Sequence, residues 1–257
     1  PLGFKLESQE TVPSSGWKIE KVSDRKVRDE WKPLWGKRAV VEDHFNELVI
    51  DLVNPAGQPE RMQLVVRGYN DGFAFCYKIP DGKGPCVNVQ SELTAYNFAG
   101  DYTAWFYNGE NHNIGPEKLT ETDGTRLPVM TVKAGDKHYM AIHEACLETG
   151  APLVLQSKGG ESLFSVASKP TSLSPGYTSA WRVVLYGTTP GVLTDSHLLE
   201  LLNPDPDSRY DFSWVKPGLA VWDWRINGAV WDGFTYGMSY PSWVRMVDFA
   251  AEQGFKY

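Results

Sequence analysis

A chain of 257 residues is long enough for one large domain or two ordinary ones, and it can bury a substantial core without disulfide staples. Its net charge of −7, with no cluster of Lys and Arg, excludes a nucleic-acid binder, because neutralising phosphates needs concentrated positive charge. The 42% hydrophobic and 13% aromatic content, with plentiful Gly and Pro, suits a β-rich fold and sugar-stacking surfaces, although core filling accounts for most of the aromatics. No apolar run approaches the roughly 20 residues of a membrane span, and no basic-then-apolar leader opens the sequence. Pro1 stands in mid-pattern without an initiator Met, which reads as a fragment.

From the start to about residue 170, short apolar stretches recur between turn signals with no sustained helical period, the trace expected of a large antiparallel β-sandwich. "NELVIDLVN" (46–54), "MQLVVRGY" (62–69), "GFAFCYKI" (72–79), "CVNVQSEL" (86–93) and "DYTAWFY" (101–107) fit successive strands of a meander. "NPAGQP", "NDG" and "PDGKGP" between them carry residues that favour turns, and Asp71 and Gly72 read as a turn. Cys76 and Cys86 flank one such turn and can pair in an oxidising compartment, but with Cys146 they fit better as three separate buried thiols. "RLPVMTVKAG" (126–135), "KHYMAIHEACL" (137–147) and "SLFSVAS" (162–168) are further strands, whereas "GENHNIGP" (109–116) has no fixed spacing of functional groups and reads as a surface loop.

The character of the chain changes at Pro170. The strand "WRVVLYG" (181–187) leads into a short helix, capped by Thr194 or Asp195, whose Leu198, Leu199, Leu201 and Leu202 form an apolar face ended by Asn203-Pro204. "GLAVWDWRING" (218–228) then reads as a buried strand followed by a loop. "SYPSWVRMVDFAAEQGFKY" (239–257) reads as an amphipathic helix with Ser239 or Ser242 as N-cap and Gly254 at the C-cap position before a new apolar run. Strand, loop, helix, Gly and strand make a βαβ unit cut short, which needs more α/β structure to close its sheet; a barrel is the leading candidate.

Several gapped motifs, in order, carry a family resemblance along essentially the whole length. They are "PLGFKL", "WKPLWGKRAVVEDHFNEL" (31–48), "GYNDGFAFCYKIP" with Cys76 in place of the usual Arg, "HYMAIHEACL", "AWRVVLYGTTPGVLTDSHLLELLNP" and "WDWRINGAVWDGFTYG" with "VDFAAEQGFKY". The sequence resembles glycoside hydrolase family 97, the calcium-dependent bacterial α-glucosidases and α-galactosidases. The resemblance implies a mainly β chain: an N-terminal β-super-sandwich over 1–180 lacking its first strands, a linking strand and helix over 181–217, and the first βα unit of a truncated (β/α)8 barrel over 218–257. It also implies exo-acting hydrolysis of terminal α-glucosyl or α-galactosyl residues of oligosaccharides, in a periplasmic or secreted protein. The catalytic carboxyl groups are expected beyond Tyr257, with the rest of the barrel and a C-terminal β-domain, so the chain alone is expected to be catalytically silent.

Taken by itself, Glu144 in "HYMAIHEACL" is an acid at a strand end, usually a solvated edge residue. The resemblance makes it a Ca2+ ligand, reaching from the sandwich to a site whose other ligands are barrel carboxylates. Calcium takes about six to eight hard oxygens, so gathering them from two domains is chemically sensible. His143 stands where the family usually has Thr. At the expected barrel strand, alternation puts Trp222 and Trp224 on one face. Trp222 is expected to pack, and Trp224 and Arg225 to wall the sugar pocket at the C-terminal rim, a Trp face suiting a pyranose ring. His44 and Asn46 read as structural, and "HEACLETG" lacks the second His of a zinc pattern. The rival reading is a glycan-binding β-sandwich parted from catalysis. Glucoside or galactoside, and inversion or retention, stay open at this level.

Overall fold

A computed structural model describes residues 3–7, 16–55, 59–82, 84–107, 109, 113–169 and 172–257. The chain divides into two compact units, Pro1–Pro33 with Val40–Asp205, and Leu34–Ala39 with Pro206–Tyr257.

In chain order the strands of the first unit are β1 (Phe4–Leu6), β2 (Lys18–Trp31), β3 (Val41–Val53), β4 (Arg61–Tyr69), β5 (Gly72–Lys78), β6 (Val87–Glu92), β7 (Ala95–Asn97), β8 (Thr103–Tyr107) and β9 (Asn113–Lys118). They continue as β10 (Asp123–Lys133), β11 (Tyr139–Ala145), β12 (Leu155–Lys158), β13 (Leu163–Val166), β14 (Ser172–Leu173) and β15 (Trp181–Gly187), followed by helices α1 (Pro190–Asp195) and α2 (Leu198–Leu201). The large sheet runs β2-β3-β4-β5-β15-β11-β10-β12-β13-β7, with β8 and β9 added beside β10, and β1-β6-β14 form a second sheet. Every pairing among these strands is antiparallel.

Side-chain alternation explains how the layers meet. On β5, Phe75 and Tyr77 face Phe4, Leu6, Val87, Val89 and Leu173 of the small sheet, while Ala74 and Cys76 face the other way, packing with Trp181, Val183, Leu185, Leu198 of α2 and Leu202 just after it. A third core forms because β10 is long enough to serve two partners. Its first half pairs β12 and its second half pairs β11 and β8, which folds the sheet over Phe106, Met130, Ile142, Leu155 and Phe164. Tyr77 also ties the layers: its hydroxyl accepts the Gly3 N–H at 3.0 Å and pairs with the Thr94 hydroxyl at 2.9 Å.

The mainly β antiparallel fold is as expected, but several local expectations are corrected. Of the five runs expected as a meander, only the first three are neighbours; β6 crosses to the small sheet and β8 lies against β10. The "WRVVLYG" strand lies inside the large sheet, between β5 and β11. Residues 190–195 are already helical, so Thr194 and Asp195 lie inside α1 rather than ahead of a helix, and the Ser196 hydroxyl receives the Leu198 N–H of α2 at 3.1 Å. The three cysteines are free, as separate thiols, but only Cys76 is buried; burial pushes its thiol up to about 12, while Cys86 is exposed.

The second unit holds α3 (Asp223–Ile226), β16 (Val230–Trp231), β17 (Phe234–Thr235) and α4 (Tyr240–Glu252). The expected buried strand in "GLAVWDWRING" is absent: residues 218–222 carry no strand and Asp223–Ile226 make a helical turn. Its backbone nevertheless makes a parallel contact across α4, with the Tyr257 N–H donating to Leu219 O at 3.2 Å and the Val221 N–H donating to Tyr257 O at 2.9 Å. With a third bond from the Lys256 N–H to Leu219 O at 3.1 Å, this single short partner leaves the apolar run uncovered, and Leu219 is 66% exposed. The expected helix is present as α4, preceded by Ser239 and ended at Gly254, where the Phe255 N–H reaches Ala250 O at 2.8 Å. Ser242 is a buried first-turn residue whose hydroxyl accepts the Gly237 N–H.

Candidate functional site

Antiparallel register sets Glu144 of β11 directly opposite Arg182 of β15. Both side chains leave the strands on the face that carries Ile142 and Val184, so they point into the interior between the sheets. Arg182 is 1% exposed and is the largest fully buried side chain of the described residues. Its Nε donates to Glu92 Oε1 at 3.0 Å and its Nη2 to Glu92 Oε2 at 2.5 Å, a bidentate fork that joins β15 to the small sheet. Nη1 donates to Glu144 Oε2 at 3.2 Å, and Nη2 also reaches the Ala151 carbonyl at 3.3 Å.

The loop after β11 completes the arrangement. Cys146 takes a positive φ of 56° and the chain doubles back; at Gly150 it passes so close to the Ala180 nitrogen that a Cβ would overlap it. The return brings the Leu153 N–H onto Glu144 Oε2. Oε2 therefore takes both contacts, while Oε1 stands outside them.

The charges do not cancel. Two carboxylates share one guanidinium, so with both ionised the cluster carries one excess negative charge in an interior that solvates it poorly. Burial pushes the Glu144 carboxyl above its usual range, against the Leu153 hydrogen bond and the Arg182 charge, and Glu92 adds to the rise. Burial also opposes the Arg182 charge, but the hydrogen bonds and charge of Glu92 outweigh it and hold the guanidinium above its ordinary value. The Tyr96 hydroxyl, close enough to feel all three charges, is buried with no hydrogen-bond partner among the described residues. His143 points to the opposite face; its Nδ1 accepts the Glu144 N–H at 2.8 Å, and burial lowers its pKa.

Among the described residues no group of three His, Cys, Asp or Glu gathers as a metal cage. Trp224 and Arg225 lie in the second unit, on α3 rather than on the expected strand. Trp224 is 59% exposed, and its N–H bonds Asp223 Oδ1, whose Oδ2 accepts the Trp243 indole N–H at 3.0 Å. Arg225 lies 5.0 Å over the ring of Trp222, which is exposed rather than packed. His44 sits 3.5 Å from Glu42, and Asn46 is exposed on β3. Sequence reasoning missed Arg182 and Glu92; the one signal was a lone Arg inside the apolar run "WRVVLYG".

The family model for the glycosyl-hydrolase 97 N-terminal domain matches residues 1–204. The chain belongs to this family. Among curated family 97 relatives, a retaining α-galactosidase of Bacteroides thetaiotaomicron is 27% identical over 300 residues, a match that takes in all of this chain and 44% of that protein. A probable retaining α-galactosidase of Streptomyces bingchenggensis is 27% identical over 277 residues, again across the whole chain and over 39% of its own length. A family 97 enzyme from Pseudoalteromonas sp. strain K8, solved in complex with acarbose, superposes with a TM-score of 0.81 at 26% identity, covering 99% of this chain and 41% of that one. A β-arabinopyranosidase shares the fold, with a TM-score of 0.79 at 19% identity. The chain thus spans less than half the length of the relatives it matches.

Proposed function

We propose that this family 97 chain is part of an exo-acting α-glycosidase that removes terminal α-galactosyl residues from oligosaccharides with retention, and that Glu144 donates an oxygen to a calcium site. The likeness across the whole chain to two proteins named as retaining α-galactosidases favours the α-galactoside and retention over the α-glucoside and inversion. Retention needs an acid and a nucleophilic carboxylate about 5–5.5 Å apart; neither is assigned to a residue of this chain. The exposed face of Trp224 suits a pyranose ring, with Arg225 beside it.

The observation that carries the calcium reading is the pair of carboxylates, Glu92 and Glu144, around the single guanidinium of Arg182. A hard dication suits a carboxylate that shares its one guanidinium with another among the described residues, and Oε1 is the oxygen outside these hydrogen bonds. Glu144 supplies one donor only, so the remaining oxygens must come from other parts of the protein. Bound calcium would polarise a sugar hydroxyl and organise neighbouring charges. Arg182 and the Leu153 N–H would hold Glu144 in place for it.

The test uses the full-length protein. Hydrolysis of aryl α-galactoside and aryl α-glucoside is compared, and the first-formed anomer is read by proton NMR. Preference for the galactoside with α-galactose formed first is expected; β-galactose as the first product would overturn retention, and glucoside preference the substrate. Calorimetric titration of the metal-stripped protein with calcium chloride is expected to show at least about tenfold weaker binding for Glu144→Gln. Equal affinity would remove Glu144 from the site.

A further inference from the structure

We infer that Glu92 is a positioning residue for the Glu144 carboxylate, acting through Arg182, and that it sets how strongly Glu144 attracts a divalent cation. This rests on Glu144 being a calcium ligand, as proposed above.

The first argument is geometric. A guanidinium is a rigid planar fork, and the two Glu92 oxygens occupy its Nε and Nη2 positions at 3.0 and 2.5 Å. With two of its nitrogens fixed, the plane cannot turn, so Nη1 stays aimed at Glu144 Oε2 at 3.2 Å. The Leu153 N–H meets the same oxygen from the loop. Together they fix the carboxylate and leave Oε1 as the donor with a single orientation.

The second argument is electrostatic. Both partners of the fork are 1% exposed, so water cannot mediate between them, and the Glu92 charge is matched against that of Arg182. What remains for Glu144 is a charged hydrogen bond from a guanidinium already paired with another carboxylate. A cation approaching Oε1 therefore competes with a neutralised arginine. If Gln replaces Glu92, the side-chain shape is kept but the cluster goes from one excess negative charge to none, and the whole Arg182 charge turns to Glu144. The cation must then displace part of a full ion pair.

Calcium binding to the metal-stripped full-length protein is compared for wild type, E92Q, E144Q and E92Q/E144Q, by calorimetric titration and by the rise in melting temperature on adding calcium. Changes to groups that hold a metal ligand weaken binding roughly 10–100-fold, and E92Q is expected in that range. The double variant is expected to bind no more weakly than E144Q alone, because Glu92 acts only through Glu144. Wild-type affinity in E92Q overturns the inference and leaves Glu144 as a ligand. Additive losses in the double variant also overturn it, since they report general damage to the fold. Unchanged affinity in E144Q overturns the Glu144 reading and the inference with it. If E92Q does not fold, Arg182→Lys carries the same test. Lysine keeps the charge but cannot span both carboxylates as a fork, so weaker calcium binding is expected and wild-type affinity overturns the inference.

Discussion

Arg182 and Glu47 show two ways in which this sandwich handles charge below its surface. Arg182 is enclosed with a carboxylate on each side, one matched and one in excess. Glu47 is the reverse case, one carboxylate between two arginines, with Arg25 Nε at 2.5 Å and Arg67 Nε at 2.8 Å, and Arg67 lying 4.4 Å over Phe45 and 4.9 Å over Trp181. Burial raises the Glu47 pKa, but the hydrogen bonds from Arg25 and Arg67 outweigh it and bring it below the ordinary value of 4.5. A depressed carboxylate contributes stability above its unfolded pKa that is lost as pH falls through the folded one. Glu47→Gln is therefore expected to lower stability near neutral pH by about 1–2 kcal/mol, discounted because Arg25 is largely solvated. The deficit against wild type should begin to close as pH falls below 4.5 and vanish once pH passes the depressed folded pKa, and urea denaturation across that range measures it. A pH-independent gap would refute the charge account. Of the candidate site, only Glu144 was legible in the sequence, and only through the family motif. Its partners lie 38 and 9 residues away, and the Arg182–Glu92 pair is separated by 90. Alternation shows which face a side chain takes but not which strand lies beside it.

Element by element, legibility followed burial. The runs "MQLVVRGY" and "GFAFCYKI" gave β4 and β5 to within a residue, and "WRVVLYG" is β15, because central strands are apolar on both faces. β2 was not visible at all. It is a 14-residue edge strand, "KIEKVSDRKVRDEW", exposed along most of its length and paired only with β3, so it has little burial to imprint a pattern. The "WDWRING" stretch is the opposite case, an apolar composition left exposed at Trp222 and Trp224 among the described residues. At the β4–β5 turn the constraint is steric. Gly72 pairs with Leu185, and a Cβ on it would collide with the Val184 carbonyl oxygen. Gly72→Ala must shift one strand against the other and is expected to destabilise by more than about 1 kcal/mol. A melting temperature equal to wild type would show that the hairpin tolerates the shift.

At the scale of the whole molecule, residues 203–220, which run from the end of the first compact unit into the second, are exposed without a break. Arg209 and Lys216 lie in this segment, so brief trypsin treatment is expected to cut there first and leave a product that retains β1 to β15. Early cleavage within 139–187, read by mass spectrometry, would count against that order of stability. Inside the larger unit, the position of β15 has a further consequence. It is the last strand of that unit in sequence, yet it lies between β5 and β11 and joins β2-β3-β4-β5 to the rest of the sheet. During synthesis the earlier strands must wait for it, with β5 and β11 each presenting an open edge until Gly187 has left the ribosome. Closure by one late, distant strand makes folding slow and cooperative, and it makes the half-made chain the form most exposed to aggregation and most dependent on chaperones.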